Sequence, residues 1–128
     1  MSAHEIALTT EPIAADALAF GADEGAEAQF LGIVRETEDG QRISGIEYTA
    51  YEPMALSLLR DLTARAAAAC PAPHRAIIRH RLGFVPAREP SIIIRVRAKH
   101  SAEAFDLCRW YLREIKTTVP IWKRPVFL

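Results

Sequence analysis

The run SIIIRVRAK, Ser91 to Lys99, constrains the fold more than any other stretch. Ile92, Ile94, Val96 and Ala98 alternate with Arg95, Arg97 and Lys99. Successive side chains on a strand point to opposite faces, so this strand has one apolar face and one cationic face. The period then changes at once. Ser101 suits an N-cap, and Glu103 falls in the first turn, where the helix dipole favours an anion. Ala104, Phe105, Cys108, Tyr111, Leu112 and Ile115 recur as the buried stripe of a helix. Thr117, Thr118 and Val119 are β-branched, and Pro120 disfavours helix in the residue before it. The helix is therefore expected to end near Lys116, with Ile121 to Phe127 extended.

Other segments follow the same rules. Glu5 to Thr9 alternates weakly as a first strand. Pro12 suits the first turn of a short helix over IAADALAF, which GADEG breaks. Alternation from Ala28 to Val34 predicts a buried strand, and ISGIEYTAY predicts another. With the turn signal Asp39-Gly40 between them, the two are expected to form a hairpin. Pro53 opens a helix whose apolar face is Ala55, Leu58, Leu59, Leu62, Ala66 and Ala69. HRAIIRHRLG is a strand ending at Gly83, and FVPAREP a loop. Short connections and mixed hairpins and helices predict an α+β fold, one domain over residues 1–128, with a largely antiparallel sheet.

Sixteen basic residues balance sixteen acidic ones. That argues against a general nucleic-acid or membrane-surface binder, which needs a basic excess. MSAHEIALTT lacks the layout of a signal peptide, and no apolar run is long enough to span a bilayer. Cys70 and Cys108 form no CxxC pair and no metal pattern. The expectation is a cytoplasmic protein with reduced, buried thiols.

The candidate chemistry is cationic. Lys116 and Lys123 would share one face of a continuous helix, but Pro120 removes that route. Their convergence needs a turn at Thr118-Val119-Pro120. Arg35, His80-Arg81 and Lys99-His100 also stand at element junctions, where loops on a rigid scaffold carry function. Converging arginine, lysine and histidine suit a phosphate or carboxylate ligand. A lysine partly desolvated among other cations would have a lowered pKa and could act as nucleophile or proton shuttle. Each residue also has a plainer reading. A lysine is favoured at any helix C-terminus by the dipole, and Lys123 and Arg124 suit a solvated strand face.

FLGIVRE, IEYTAYEPMA, HRLG, AKHSAEAF and KTTVPIWKR occur in an order and spacing that resemble the large, catalytic subunit of molybdopterin synthase, the MoaE family. The resemblance runs from about Phe30 to Arg124. It implies an α/β hammerhead fold and a homodimer within a heterotetramer. Each large subunit would bind a small ubiquitin-like sulfur carrier of the MoaD type, whose C-terminal glycine carries a thiocarboxylate. Two sulfurs would pass in turn to cyclic pyranopterin monophosphate, with no metal or cofactor for this step. On this resemblance Lys116 and Lys123 are catalytic. Arg35, His100, Lys99 and Arg124 are expected on the substrate side, some from the second protomer. Trp122 is expected to anchor the segment that carries both lysines.

Three features depart from the family pattern. His100-Ser101 stands where His-Arg is usual, which removes one cation. Arg88-Glu89-Pro90 stands where a glycine-glutamate pair is usual. Arg124-Pro125-Val126 replaces a polar continuation, and the sequence stops at Leu128. These keep a second reading open, a diverged non-catalytic homologue that docks a ubiquitin-like protein or an anionic pterin. A structural dimerisation domain is the third.

Overall fold

The computed structural model describes residues 4–14, 16 and 18–128. Four strands build the first sheet: β1 (Glu5–Thr9), β2 (Ala26–Ile33), β5 (His74–Arg81) and β7 (Pro90–Ala98). Their order is β1-β5-β7-β2. Only the β1–β5 pair is parallel. The second sheet centres on β4 (Gln41–Ala50), flanked by β6 (Gly83–Pro86) and β8 (Ile121–Phe127), with β3 (Thr37–Glu38) in a short hairpin. The fold class is the α+β arrangement expected. No described helix is long and apolar enough to cross a membrane.

Helix α1 (Glu52–Ala69) has Pro53 in its first turn and buries Ala55, Leu59, Leu62 and Ala66, one stripe at helical spacing. Helix α2 (Ser101–Thr118) buries Ala104, Leu107, Cys108, Tyr111 and Ile115. Both stripes lie on the apolar face of the first sheet, against Ala76, Ile78, Ile92, Ile94 and Val96. A smaller core of Val34, Ile43, Ile46 and Val85 lies at the second sheet. Gly45 is obligatory there. A Cβ at this position would sit 2.3 Å from the Val85 carbonyl oxygen.

The other face of β7 differs from its reading as a simple cationic surface. Arg95 and Arg97 are buried, and Glu27 on the neighbouring β2 binds both. Arg97 Nε donates to Glu27 at 2.6 Å. Its remaining groups donate to the Ala19 and Leu18 carbonyls, and Arg95 donates to the Asp16 carbonyl. This overturns the helix expected over IAADALAF: the described residues of 12–20 carry none. Their carbonyls serve as acceptors for buried arginines, and that competes with helical bonding. Ala15 and Ala17 of that stretch lie outside the described residues.

Other expectations are corrected. β2 and β4 do not form a hairpin, because β2 pairs with β7 while β4 turns back only on the two-residue β3. Asp39 and Gly40, at φ 51° and 75°, make that tight turn. FVPAREP is mostly strand, and only residues 87–89 separate β6 from β7. Gly83, at φ 85°, lets the chain step from β5 in one sheet to β6 in the other. In α2 the cap is His100 rather than Ser101, Phe105 points outward, and Leu107 takes the core position. The helix runs past Lys116 to Thr118. The Thr117 and Thr118 hydroxyls bond back to carbonyls of the preceding turn, which accommodates the β-branched pair.

Candidate active site

One cavity of about 700 Å³ lies where the two sheets and the end of α2 meet. β2 contributes Phe30 and Gly32, β5 His80, and β7 Ser91 and Ile92. β4 adds Tyr48, β8 adds Ile121 and Lys123, and α2 adds Leu112, Ile115 and Lys116. Arg35, just beyond β2, completes the wall.

Local chemistry explains each placement. Val119 and Ile115 are buried, which fixes the last turn of α2 and holds Lys116 at its cavity edge. The chain leaves the helix at Val119 in an extended conformation and enters β8 after Pro120. Alternation along β8 then turns Ile121 and Lys123 to the cavity. Trp122 faces away and is 58% exposed, so it does not anchor the segment. Val119 and Ile121 do that instead. Lys123 stands opposite Tyr48 in the β4–β8 pair.

Arg35 is held from behind. The Val34 N–H donates to the Glu89 carbonyl at 3.0 Å, and the Arg88 N–H donates to the Val34 carbonyl at 2.7 Å. Arg81 Nη1 grips the Glu89 carboxylate at 2.8 Å. The Arg35 guanidinium itself lies 3.7 Å from Glu38 and is largely exposed. It is therefore free to take an incoming anion at little cost, since exposed pairs are worth at most about 1 kcal/mol.

His80 and Tyr48 form the inner wall, with ring centroids 5.1 Å apart and an edge-on arrangement. Burial pushes the His80 pKa below its ordinary value, against the opposing hydrogen bond to the Arg81 carbonyl. The imidazole is therefore neutral at pH 7. Cys108 is buried, its thiol pushed up by desolvation, and neither cysteine borders the cavity. Among the described residues no cluster of His, Cys, Asp and Glu suits a metal ion.

Three of the six candidate residues thus meet: Arg35, Lys116 and Lys123. Lys99 instead borders a separate concavity with Arg97, His74 and Glu24. His100 caps α2 at the end opposite Lys116. Arg124 follows Lys123 but points to the other face of β8, across from Glu47. Sequence reading gave Tyr48, Ser91 and Gly32 no role. Tyr48 lies inside IEYTAYEPMA and Gly32 inside FLGIVRE, two of the segments that carry the family resemblance, whereas Ser91 lies in none of them. A Cβ on Gly32 would come 2.7 Å from Ile92 and 3.2 Å from the Phe30 ring, so this glycine keeps the cavity wall open.

A family model described as MoaE protein matches residues 8–118. The chain belongs to the MoaE family. The match includes Lys116 and stops before Lys123. The molybdopterin synthase catalytic subunit of Nostoc sp. is 36% identical over 121 residues, covering 92% of this chain and 73% of the relative. That of rice (Oryza sativa subsp. indica) is 40% identical over 103 residues, covering 80% of this MoaE-family chain and 53% of the relative. The chain thus spans about half the length of its rice relative. The crystal structure of molybdopterin synthase from Staphylococcus aureus superposes with a TM-score of 0.87 at 29% identity, over 100% of this chain and 93% of that one. A complex of subunits 1 and 2 of molybdopterin-converting factor from Helicobacter pylori shares the MoaE-type fold. Its TM-score is 0.68 at 24% identity, over 82% of this chain and 72% of that one.

Proposed function

We propose that this chain is the catalytic subunit of a molybdopterin synthase. It takes sulfur from the thiocarboxylated C-terminus of a small ubiquitin-like partner and places it on cyclic pyranopterin monophosphate. The observation that carries this is the convergence of Arg35, Lys116 and Lys123, from three separate segments, on one cavity.

The chemistry needs such a cavity. Donor and acceptor are both anions, a thiocarboxylate and a phosphate ester. Two like charges about 4 Å apart repel by about 4 kcal/mol at an effective dielectric near 20. Fixed cations offset that repulsion before the reaction begins. Arg35 offers the planar fork that suits a phosphate. Lys116, at the end of α2, meets the incoming tail, and Lys123 faces it from β8. Each transfer breaks the carbon–sulfur bond of one thiocarboxylate and forms one on the pterin side chain, where a carbon–oxygen bond breaks in exchange: one oxygen stays on the phosphate as its ring opens, and the other leaves as water. The acyl carbon takes oxygen from water and leaves as a carboxylate, so two carriers supply the two sulfurs of the dithiolene.

His100 and Ser101 lie at the far end of α2 from Lys116. Their role on the substrate side is assigned to the second protomer of a homodimer, the large subunits forming the centre of a heterotetramer. Ser101→Arg then raises affinity for the pyranopterin in the assembled dimer. An unchanged affinity would place the phosphate elsewhere.

The test is reconstituted turnover with thiocarboxylated small subunit and cyclic pyranopterin monophosphate. Wild type forms the dithiolene, and Lys116→Ala forms none while still folding and binding its partner. Absence of product from both, with partner binding intact, would favour the non-catalytic docking homologue, which the serine at position 101 allows.

A further inference from the structure

His80 lies on the core-facing side of β5, 7% exposed, and borders the cavity. Its Nδ1 stands 2.8 Å from the Arg81 carbonyl oxygen. A carbonyl only accepts, so Nδ1 carries the proton and Nε2 carries the lone pair. Among the described residues the one sealed side-chain nitrogen or oxygen without a partner is Arg81 Nε. The His80 Nε2 has no partner among the described residues either, yet it is not sealed. It therefore opens on the cavity.

The surrounding polar groups make that lone pair distinctive. Arg35, Lys116 and Lys123 can only donate. The Ser91 hydroxyl leans toward the Gly32 carbonyl at 3.4 Å. The Ser91 and Tyr48 hydroxyls can donate or accept as they rotate, and His80 supplies an acceptor of fixed tautomer, braced edge-on by Tyr48. Phosphate recognition needs none. A heterocycle with ring N–H, amino or hydroxyl groups does.

We propose that His80 is a specificity-determining residue that accepts, at Nε2, a hydrogen bond from an N–H or O–H of the bound heterocycle while the cations hold its phosphate. This rests on the pyranopterin reading given above. Protonation would convert the acceptor to a donor and add a positive charge beside Arg35, Lys116 and Lys123. Tyr48 is the remaining titratable group facing it, and the neighbouring strands present Leu8 and Ile92.

The experiment titrates wild type, His80→Phe and His80→Gln with cyclic pyranopterin monophosphate, and in parallel with inorganic phosphate. Binding is measured from about pH 5 to about pH 7.5, the range in which histidine titrates. Phenylalanine keeps the ring and removes the acceptor, while the glutamine amide oxygen replaces it. His80→Phe is expected to bind the pterin about tenfold more weakly, with phosphate binding unchanged. His80→Gln is expected to stay near wild type at neutral pH and to lose the fall in affinity on acidification. Equal pterin affinity of His80→Phe and wild type would overturn the inference while leaving the proposed function standing. So would an acid limb preserved in His80→Gln, which decides the matter if His80→Phe does not fold. Wild type that binds phosphate but not the pterin would instead overturn the pyranopterin reading, and the role of His80 with it.

Discussion

Tyr48 stands directly opposite Lys123 in the antiparallel β4–β8 pair, and its ring meets the His80 ring edge-on. One aromatic side chain therefore links the strand that carries a cavity lysine to the sheet packed under the helices. Tyr48→Ala removes that link. It is expected to cost about 2 kcal/mol, less than a full core truncation because the ring is only half-buried. Tyr48→Phe is expected to remain within about 0.5 kcal/mol of wild type. Urea unfolding of both variants checks this, and equal losses would show that the hydroxyl rather than the ring matters.

Glu27 is the single carboxylate within reach of both Arg95 and Arg97. Its burial raises its pKa, but the hydrogen bonds and charges of the two arginines outweigh that and leave the net value lowered. Glu27→Ala removes the carboxylate shared by two buried guanidinium groups, leaving Arg95 with a backbone carbonyl and Arg97 with two carbonyls and Glu24 at 3.9 Å. The expected loss is about 3 kcal/mol. Glu27→Gln should fall between the two, since it keeps an acceptor and loses the charge. A loss below about 1 kcal/mol for the alanine variant would mean that the Asp16, Leu18 and Ala19 carbonyls suffice.

Acidification should weaken the fold before these carboxylates titrate. His4, His74 and His80 are all held below the ordinary histidine value, chiefly by burial. His74 is also boxed in, with Nε2 2.7 Å from the Tyr111 hydroxyl. The unfolded chain therefore binds protons more readily than the folded one. The stabilisation is complete above about pH 6.5 and is lost as pH falls through the lowered folded values. Urea midpoints taken at about pH 7 and about pH 5 are expected to fall with pH at constant slope. A flat profile would contradict the burial of these rings.

Arg88 sits at φ 76°, in the left-handed region that favours glycine. It lies in Arg88-Glu89-Pro90, the stretch where the family resemblance implies a glycine-glutamate pair. Relief of the strain exceeds the extra unfolded-state entropy that glycine brings. Arg88→Gly is expected to gain about 0.5–1 kcal/mol. A thermal melt decides it, and a lower midpoint would mean that the arginine side chain contributes more than its backbone costs.

Much of this fold was legible because its long elements carry one clean period. β7 and α2 declare themselves by alternation and by the stripe that ends at Ile115. The 12–20 segment misled because alanines favour helix locally. Nothing nearby in sequence announces that Arg95 and Arg97, about eighty residues on, will claim its carbonyls. Separation in sequence also hid the pairing of β2 with β7, since an Asp-Gly turn signals a hairpin but not its length. For the site, local rules gave the turn that brings Lys116 and Lys123 together. That Trp122 faces out was legible too, since alternation along the extended Ile121 to Phe127 puts it opposite to Lys123; the anchor role implied by the resemblance ran against that rule. His80 looked like one more junctional cation, whereas burial makes it a neutral acceptor.

β8 carries Lys123 and pairs only with β4 among the described strands. Its Pro125 suits such an outer strand, having no N–H to give. The main core beneath α1 and α2 takes little from it beyond Ile121 at its start. Release of this one strand would dismantle the cavity while most of the molecule stayed folded. A ligand held between Lys116 and Lys123 must therefore clasp the strand as well. Occupancy of the cavity and slow amide exchange along β8 become two readouts of a single equilibrium.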